Sequence, residues 1–319
     1  MIAFVFPGQG AQYAGMGRAM ADAFPEAREI FARADAVLGF DLSRLCWEGP
    51  EEDLGLTPNT QPAILATSLA CLAVLQARGI RPQAAAGLSL GEYAALVSAG
   101  VLDPEDALRV VRLRGIFMQE AAAGRQTAMA AILGLDPAAV ERVCAEASVR
   151  GVVEPATFHS PGQVVIAGDD QAVEEGIARA RAAGARRAVR LAVSAPFHTS
   201  LMRPAAHRLA EVLAGIPLRD PRILVVSNVT AAPVRRAEEI RRLLVEQVAS
   251  PVRWEMSVRT LAHAGVTTFV EVGPGTSLSG MVRKTVPHAR TLHVEDPASL
   301  EEALAALARE PAAEGGPHG

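Results

Sequence analysis

The sequence predicts an α/β fold, a mostly parallel sheet covered by helices with a small ferredoxin-like βαββαβ unit inserted in it. Three observations lead there. Short apolar runs at 2–6, 84–87, 223–227 and 268–272 alternate with helical stretches at 62–76, 104–123 and 237–248. Between 125 and 195 the rhythm changes, and four strand-like runs and two helical stretches follow one another closely. Finally, Gly87-Leu88-Ser89-Leu90-Gly91 joins a small-apolar run to a helix-like stretch, as a tight strand-to-helix turn does.

Taken in order, Ile2 to Phe6 reads as a strand ending in the glycine turn Phe6-Pro7-Gly8-Gln9-Gly10. No basic n-region or cleavage pattern accompanies it, so a cytoplasmic protein is expected. Residues 84–87 form the strand before the Ser89 turn. Residues 127–133 open the inserted unit. Asp136-Pro137 then supplies an N-cap and first helical residue, with Val140, Val143, Cys144 and Ala147 at helical spacing. Two strands near 152–158 and 163–167 are joined by Ser160-Pro161-Gly162. Asp169 or Asp170 caps a helix that ends at Gly184, and 187–193 closes the unit. The expected organisation is a large domain of 1–124 and 196–310, a small domain of 125–195, and a frayed tail of 311–319.

Composition narrows the function. Half of the 319 residues are hydrophobic, which allows a sizeable core. The net charge is −4 and no basic block occurs, which argues against nucleic acid. No apolar run looks long enough to span a membrane. Cys46, Cys71 and Cys144 are far apart and fit no metal or disulfide framework, as in a reduced compartment.

The chemistry centres on Ser89. Glycines two before and two after it are expected where a Cβ would crowd the strand–helix crossing, leaving the hydroxyl exposed above a helix N-terminus. The competing reading is a plain turn with a capping serine. A seryl nucleophile needs a base. Of seven histidines, His207 and His263 fall in helical stretches, whereas His198 follows the segment that leaves the inserted unit, a natural cleft wall. No carboxylate stands out as its partner, because Asp103, Asp136 and Asp169 or Asp170 read as helix caps and Asp106 lies in a first helical turn. A Ser–His dyad held by a neutral acceptor therefore fits better than a triad. The Gly8-Gln9-Gly10 loop exposes N–H groups suited to an oxyanion hole together with the N–H of Leu90, although an ordinary turn explains it as well. Arg112 and Arg114 share a helix with Leu108, Val111, Phe117 and Met118. Either is a surface residue by default, and either, turned inward, would demand an anion.

Together these motifs resemble the malonyl-CoA:acyl carrier protein transacylases of type II fatty acid synthesis. The resemblance runs from Phe6-Pro7-Gly8-Gln9-Gly10 to Glu271-Val272-Gly273-Pro274-Gly275. It includes Gly87-Leu88-Ser89-Leu90-Gly91-Glu92-Tyr93, Arg112-Leu113-Arg114-Gly115, Ser160-Pro161-Gly162-Gln163, Pro196-Phe197-His198 and Gln247 with Pro251-Val252-Arg253-Trp254. It implies a hydrolase-like α/β domain with a ferredoxin-like insertion. It also implies Ser89 as nucleophile, His198 as base, the Gln247 carbonyl as the group orienting the imidazole, and oxyanion-hole N–H groups from Gln9 and Leu90. Arg114 would hold the malonyl carboxylate, with Met118 and Phe197 at the substrate. Malonyl-CoA and the phosphopantetheine thiol of acyl carrier protein would be the substrates, with no bound cofactor or metal, on a monomer. Arg283 and Lys284 are the expected contact for an acidic carrier protein. A serine thioesterase and a polyketide-type malonyl acyltransferase are the rival activities. Two positions depart from the family's pattern: Leu88 stands where histidine is usual, and His159 where asparagine is common.

Overall fold

The computed structural model describes residues 1–193 and 195–308, so the expected tail at 311–319 lies outside the described residues. Among the described residues ten strands form two sheets. They are β1 (Ile2–Phe6), β2 (Ala84–Gly87), β3 (Thr127–Leu133), β4 (Val153–Ser160), β5 (Gln163–Asp169), β6 (Arg187–Arg190), β7 (Leu224–Val226), β8 (Pro233–Val234), β9 (Thr268–Val272) and β10 (Arg290–Val294). The large sheet has the order β10-β9-β1-β2-β7-β8. All its pairings are parallel except β7 with β8 at the edge. The small sheet, β4-β5-β3-β6, is antiparallel throughout, the ferredoxin-like arrangement.

Strand periodicity explains the layers. On β1, Phe4 and Phe6 face the main core, while Ala3 and Val5 face a second cluster built around Trp254, Val258 and Phe269. The small sheet has its own core, in which Val140, Val143, Cys144 and Ala147 of one helix pack with Val173, Ile177 and Ala180 of the other. β4 is tied to the large unit by Phe158 N–H donating to Val252 O (2.9 Å) and Val252 N–H to Ala156 O (2.9 Å).

Several expectations shift. The helix expected over 62–76 runs Thr57–Ala77, with Pro58 at its start and Pro62 inside it. Pro62 has no N–H for the carbonyl of Pro58, and Arg112 Nη1 donates to that carbonyl instead (2.5 Å). This helix, 21 residues long, is also apolar enough to cross a membrane by length and composition, contrary to the expectation that no run reaches that length. Its apolar window is 83% buried inside the protein, so it is a core helix. Asp136 and Asp103 cap helices as expected, bonding the N–H of Ala139 (2.7 Å) and Glu105 (3.0 Å). Asp169 occupies an N-cap position without a cap bond, because Arg125 (2.6 and 3.0 Å) and the Val152 N–H (2.8 Å) take its carboxylate. β6 ends at Arg190 rather than 193, and the chain beyond it turns to line a cavity.

Candidate active site

Ser89 is held at φ 53°, on the turn between β2 and the helix Gly91–Ser98. The flanking glycines permit it. A Cβ on Gly87 would lie 1.9 Å from the Gly91 carbonyl carbon, and one on Gly91 would lie 2.1 Å from Phe6 O. The loop after β1 and the Ser89 turn therefore interlock, and a Cβ on Gly8 would meet Leu88 O at 2.4 Å. Leu88, where histidine is usual in the resemblance, packs its partly buried side chain against the cluster under the sheet and lines the cavity.

His198 sits in a turn, also at positive φ (63°), and is 4% exposed. Its Nε2 lies 2.7 Å from Ser89 Oγ, and its Nδ1 lies 2.8 Å from Gln247 O. A carbonyl only accepts, so Nδ1 carries the proton and Nε2 is free to accept from the serine hydroxyl. Gln247 is the penultimate residue of the helix Ala237–Val248, where carbonyls lack intrahelical donors and the helix end is partially negative. A helix terminus thus provides the neutral acceptor. Burial, with Arg114 adding to it, pushes the His198 pKa down to about 3, so the imidazole is neutral at physiological pH.

Arg114 and Arg112 separate cleanly. Arg112 bonds Pro58 O and Asn59 Oδ1 (2.5 Å each) and covers Phe40. Arg114 is 2% exposed and points inward. It is brought there by the helix Pro104–Ala121 pressing on Thr57–Ala77 at Gly115, where a Cβ would lie 2.8 Å from Thr57 O. Its Nη1 donates to Gln61 Oε1 (2.8 Å), and its Nη2 to Gln247 Oε1 (2.9 Å) and Ser89 Oγ (3.1 Å). The buried Nε has no partner among the described residues. Among the described residues Arg114 bonds no carboxylate, and desolvation lowers its pKa.

These groups border a cavity of about 410 Å³ between the two sheets. Gln9, Ser89, Leu90, Arg114, Met118, Phe197 and His198 all line it, and Gln247 stands behind His198 and Arg114. The small sheet contributes Met129, Thr157, His159 and Val165. Thr157 Oγ1 and His159 Nδ1 are buried there without partners among the described residues, and burial lowers the His159 pKa to about 4. Arg283 and Lys284 lie apart from the cavity, exposed on the last turn of the helix Ser277–Thr285. Sequence reasoning gave no role to Gln61, Glu92 or Asn228. Asn228 follows β7, at the carboxyl end of the parallel sheet where ligands bind, and that position was the available signal. Its side chain accepts from Ser89 N–H (2.7 Å) and donates to Gly87 O (2.7 Å), bracing the turn.

The model of the acyl transferase domain family matches residues 3–310. A malonyl CoA-acyl carrier protein transacylase from Bacillus subtilis (strain 168) is 46% identical over 310 residues, 97% of this chain and 98% of that protein. The chain belongs to this transacylase family. A second transacylase of that name, from Escherichia coli (strain K12), is 48% identical over 303 residues, 95% of this chain and 98% of its own length. Among solved structures, a malonyl-transacylase in complex with its type II polyketide acyl-carrier protein superposes with a TM-score of 0.93 at 47% identity, covering 96% of this chain and 99% of that one. As a member of the transacylase family the chain is an acyltransferase, and its α/β fold with a small antiparallel sheet is the family's fold.

Proposed function

We propose that this chain transfers the malonyl group from malonyl-CoA to the phosphopantetheine thiol of an acyl carrier protein, through a malonyl ester on Ser89. The observation that carries the reading is Arg114: a buried guanidinium without a carboxylate partner among the described residues, 3.1 Å from the nucleophile Oγ. A buried arginine in that state calls for an anion on the substrate, and a carboxylate binds it in two-pronged fashion.

The reaction runs in two halves. His198 Nε2 takes the Ser89 proton as Oγ attacks the malonyl thioester carbonyl. The oxyanion that forms is stabilised by the N–H groups of Gln9 and Leu90, which border the same cavity. The C–S bond breaks, the proton on His198 goes to the departing CoA sulfur, and malonyl-Ser89 remains. The carrier thiol then enters, gives its proton to His198, attacks the ester carbonyl and releases Ser89 Oγ, which recovers the proton. Throughout, the Gln247 carbonyl holds the imidazole. The ester must outlast water until the thiol arrives, and the cavity walls of Met118, Phe197 and Val165 are apolar. The pairing of Arg114 with carboxylate contributes about 1.5–3 kcal/mol, which separates malonyl from acetyl. Phe197 beside the base opposes an α-methyl group more weakly, by about 1–3 kcal/mol. The exposed Arg283 and Lys284 are the proposed contact for an acidic carrier protein, on a soluble monomeric enzyme that needs no bound cofactor.

A transfer assay with malonyl-, methylmalonyl- and acetyl-CoA against a carrier protein, with hydrolysis followed in parallel, tests this. Malonyl transfer should exceed both rivals and exceed release of free malonate. Malonate released at least as fast as malonyl-carrier forms would favour the thioesterase reading. Fatty acid and polyketide carrier proteins run side by side distinguish the two pathway assignments.

A further inference from the structure

Among the described residues Glu92 is the one acidic side chain drawn into the network behind the site, and the reaction as written has no use for it. It is 3% exposed, on the first turn of the helix that follows Ser89. A negative charge suits a helix N-terminus, yet such residues are ordinarily solvated rather than buried. Its Oε2 accepts from Gln247 Nε2 at 2.6 Å and from the Asn228 N–H at 3.4 Å.

Gln247 is the hub. Its backbone carbonyl holds His198, while its side chain faces two ways. Nε2 donates to Glu92 Oε2 and to Ser89 O (3.0 Å), with Asn228 Oδ1 at 3.4 Å. Oε1 accepts from Arg114 Nη2 at 2.9 Å. A flipped amide would set its oxygen against the Glu92 oxygen and the Ser89 carbonyl, and its NH2 against the guanidinium. Both contacts would be repulsive, acceptor on acceptor and donor on donor. Glu92 therefore selects one of two amide orientations. The intervening amide also keeps the Glu92 carboxylate from pairing with Arg114 directly, which would occupy the fork that the substrate needs.

We propose that Glu92 is a positioning residue for substrate selection: it locks the Gln247 amide so that Oε1 holds the Arg114 guanidinium ready for the substrate carboxylate. The role is one of geometry, since what Gln247 Nε2 requires is an acceptor at the right distance. The catalytic pair is touched less, because the Gln247 carbonyl that holds His198 is fixed by the helix backbone. Burial raises the Glu92 pKa to about 7, and a neutral carboxyl still offers Gln247 a carbonyl oxygen, consistent with a role that does not depend on charge.

The inference rests on Arg114 reading a substrate carboxylate, so the test separates the two. The wild-type ratio of kcat/KM for malonyl-CoA over acetyl-CoA tests the reading, and a ratio near one would sink both. The variants Glu92→Gln and Glu92→Asp test the inference. Gln keeps an acceptor at the same reach without charge, whereas Asp keeps the charge but is one methylene short. Glu92→Gln should hold the ratio within about threefold of wild type. Glu92→Asp should lower it about tenfold or more, the scale of one hydrogen bond to a charged group, mainly through malonyl-CoA. A larger loss in Gln than in Asp would overturn the proposal in favour of charge. Equal losses for malonyl and acetyl in Glu92→Asp would reduce Glu92 to a structural residue. Melting temperatures of both variants, taken alongside, show whether each is folded at the assay temperature.

Discussion

At the residue scale, Ser89, His198 and Arg114 form one bonded constellation, in which Ser89 Oγ accepts from Arg114 and faces the open nitrogen of His198. Three outcomes follow from the proposed reaction. Ser89→Ala should remove covalent labelling by malonyl-CoA in intact-protein mass spectrometry; an adduct persisting on the variant would refute the nucleophile. Arg114→Ala should depress malonyl transfer by roughly ten- to hundredfold and raise acetyl transfer relative to it, and an unchanged preference would refute the carboxylate contact. The third concerns pH. A base works only when neutral, and His198, held down to about 3, stays neutral across the ordinary imidazole range. Serine malonylation followed by rapid quench should therefore show no acid limb near the usual histidine pKa of about 6.5. A one-proton limb there would show that the imidazole is more solvated than its burial implies. At this scale the sequence was informative about Ser89 because glycine spacing carries geometry. Its helix pattern left Arg112 and Arg114 open, because two positions apart on a helix mean different faces and only a neighbouring helix decides which face is inside; the resemblance alone singled out Arg114.

At the scale of elements, the interlock between the loop after β1 and the Ser89 turn carries the site. Gly91→Ala would place a methyl 2.1 Å from Phe6 O, with backbone on both sides and nothing flexible to yield. A loss of stability of at least about 1–3 kcal/mol is expected, read by urea denaturation, together with loss of Ser89 labelling even in the folded fraction. Wild-type stability in this variant would mean that the crossing can spread. The strands 2–6, 84–87, 127–133 and 268–272 and the helix 237–248 were legible to the residue, because apolar runs between turn signals determine them locally. The start of the helix at Thr57 was not. Pro62 is a stop or start signal in any single-sequence reading, and only Arg112, arriving from another helix, satisfies the carbonyl that the proline leaves bare. β10 and β8 were also missed: both are edge strands, β8 only two residues long and β10 a half-buried run, Arg290–Val294, without a continuous apolar pattern.

For the whole molecule, burying His198 links the active site to acid stability. Its folded pKa of about 3 lies below the unfolded value of about 6.5. Above 6.5 neither state is protonated and the group is neutral for stability. Below it the unfolded chain binds a proton that the native state refuses, and stability falls as pH drops toward 3. Glu92 acts in the opposite sense, because its folded pKa of about 7 lies above the ordinary carboxyl value of 4.5, so the native state holds an extra proton between those values. His198→Asn should therefore gain on the wild type by up to about 1.4 kcal/mol per pH unit below 6.5, measured as the difference in urea midpoints; parallel pH profiles would overturn the burial argument. The division between sequence and structure follows from range. The sequence by itself determined the α/β class, the antiparallel insertion and the serine turn, since each rests on periodicity or spacing within some tens of residues. The resemblance implied a carbonyl at Gln247 in place of an aspartate and Arg114 rather than Arg112 at the substrate, but only the tertiary structure shows the contacts themselves, and only it shows that Glu92 reaches the site through an amide. Those contacts join residues 25 to 155 positions apart, and their meaning lies in burial, which no local pattern encodes.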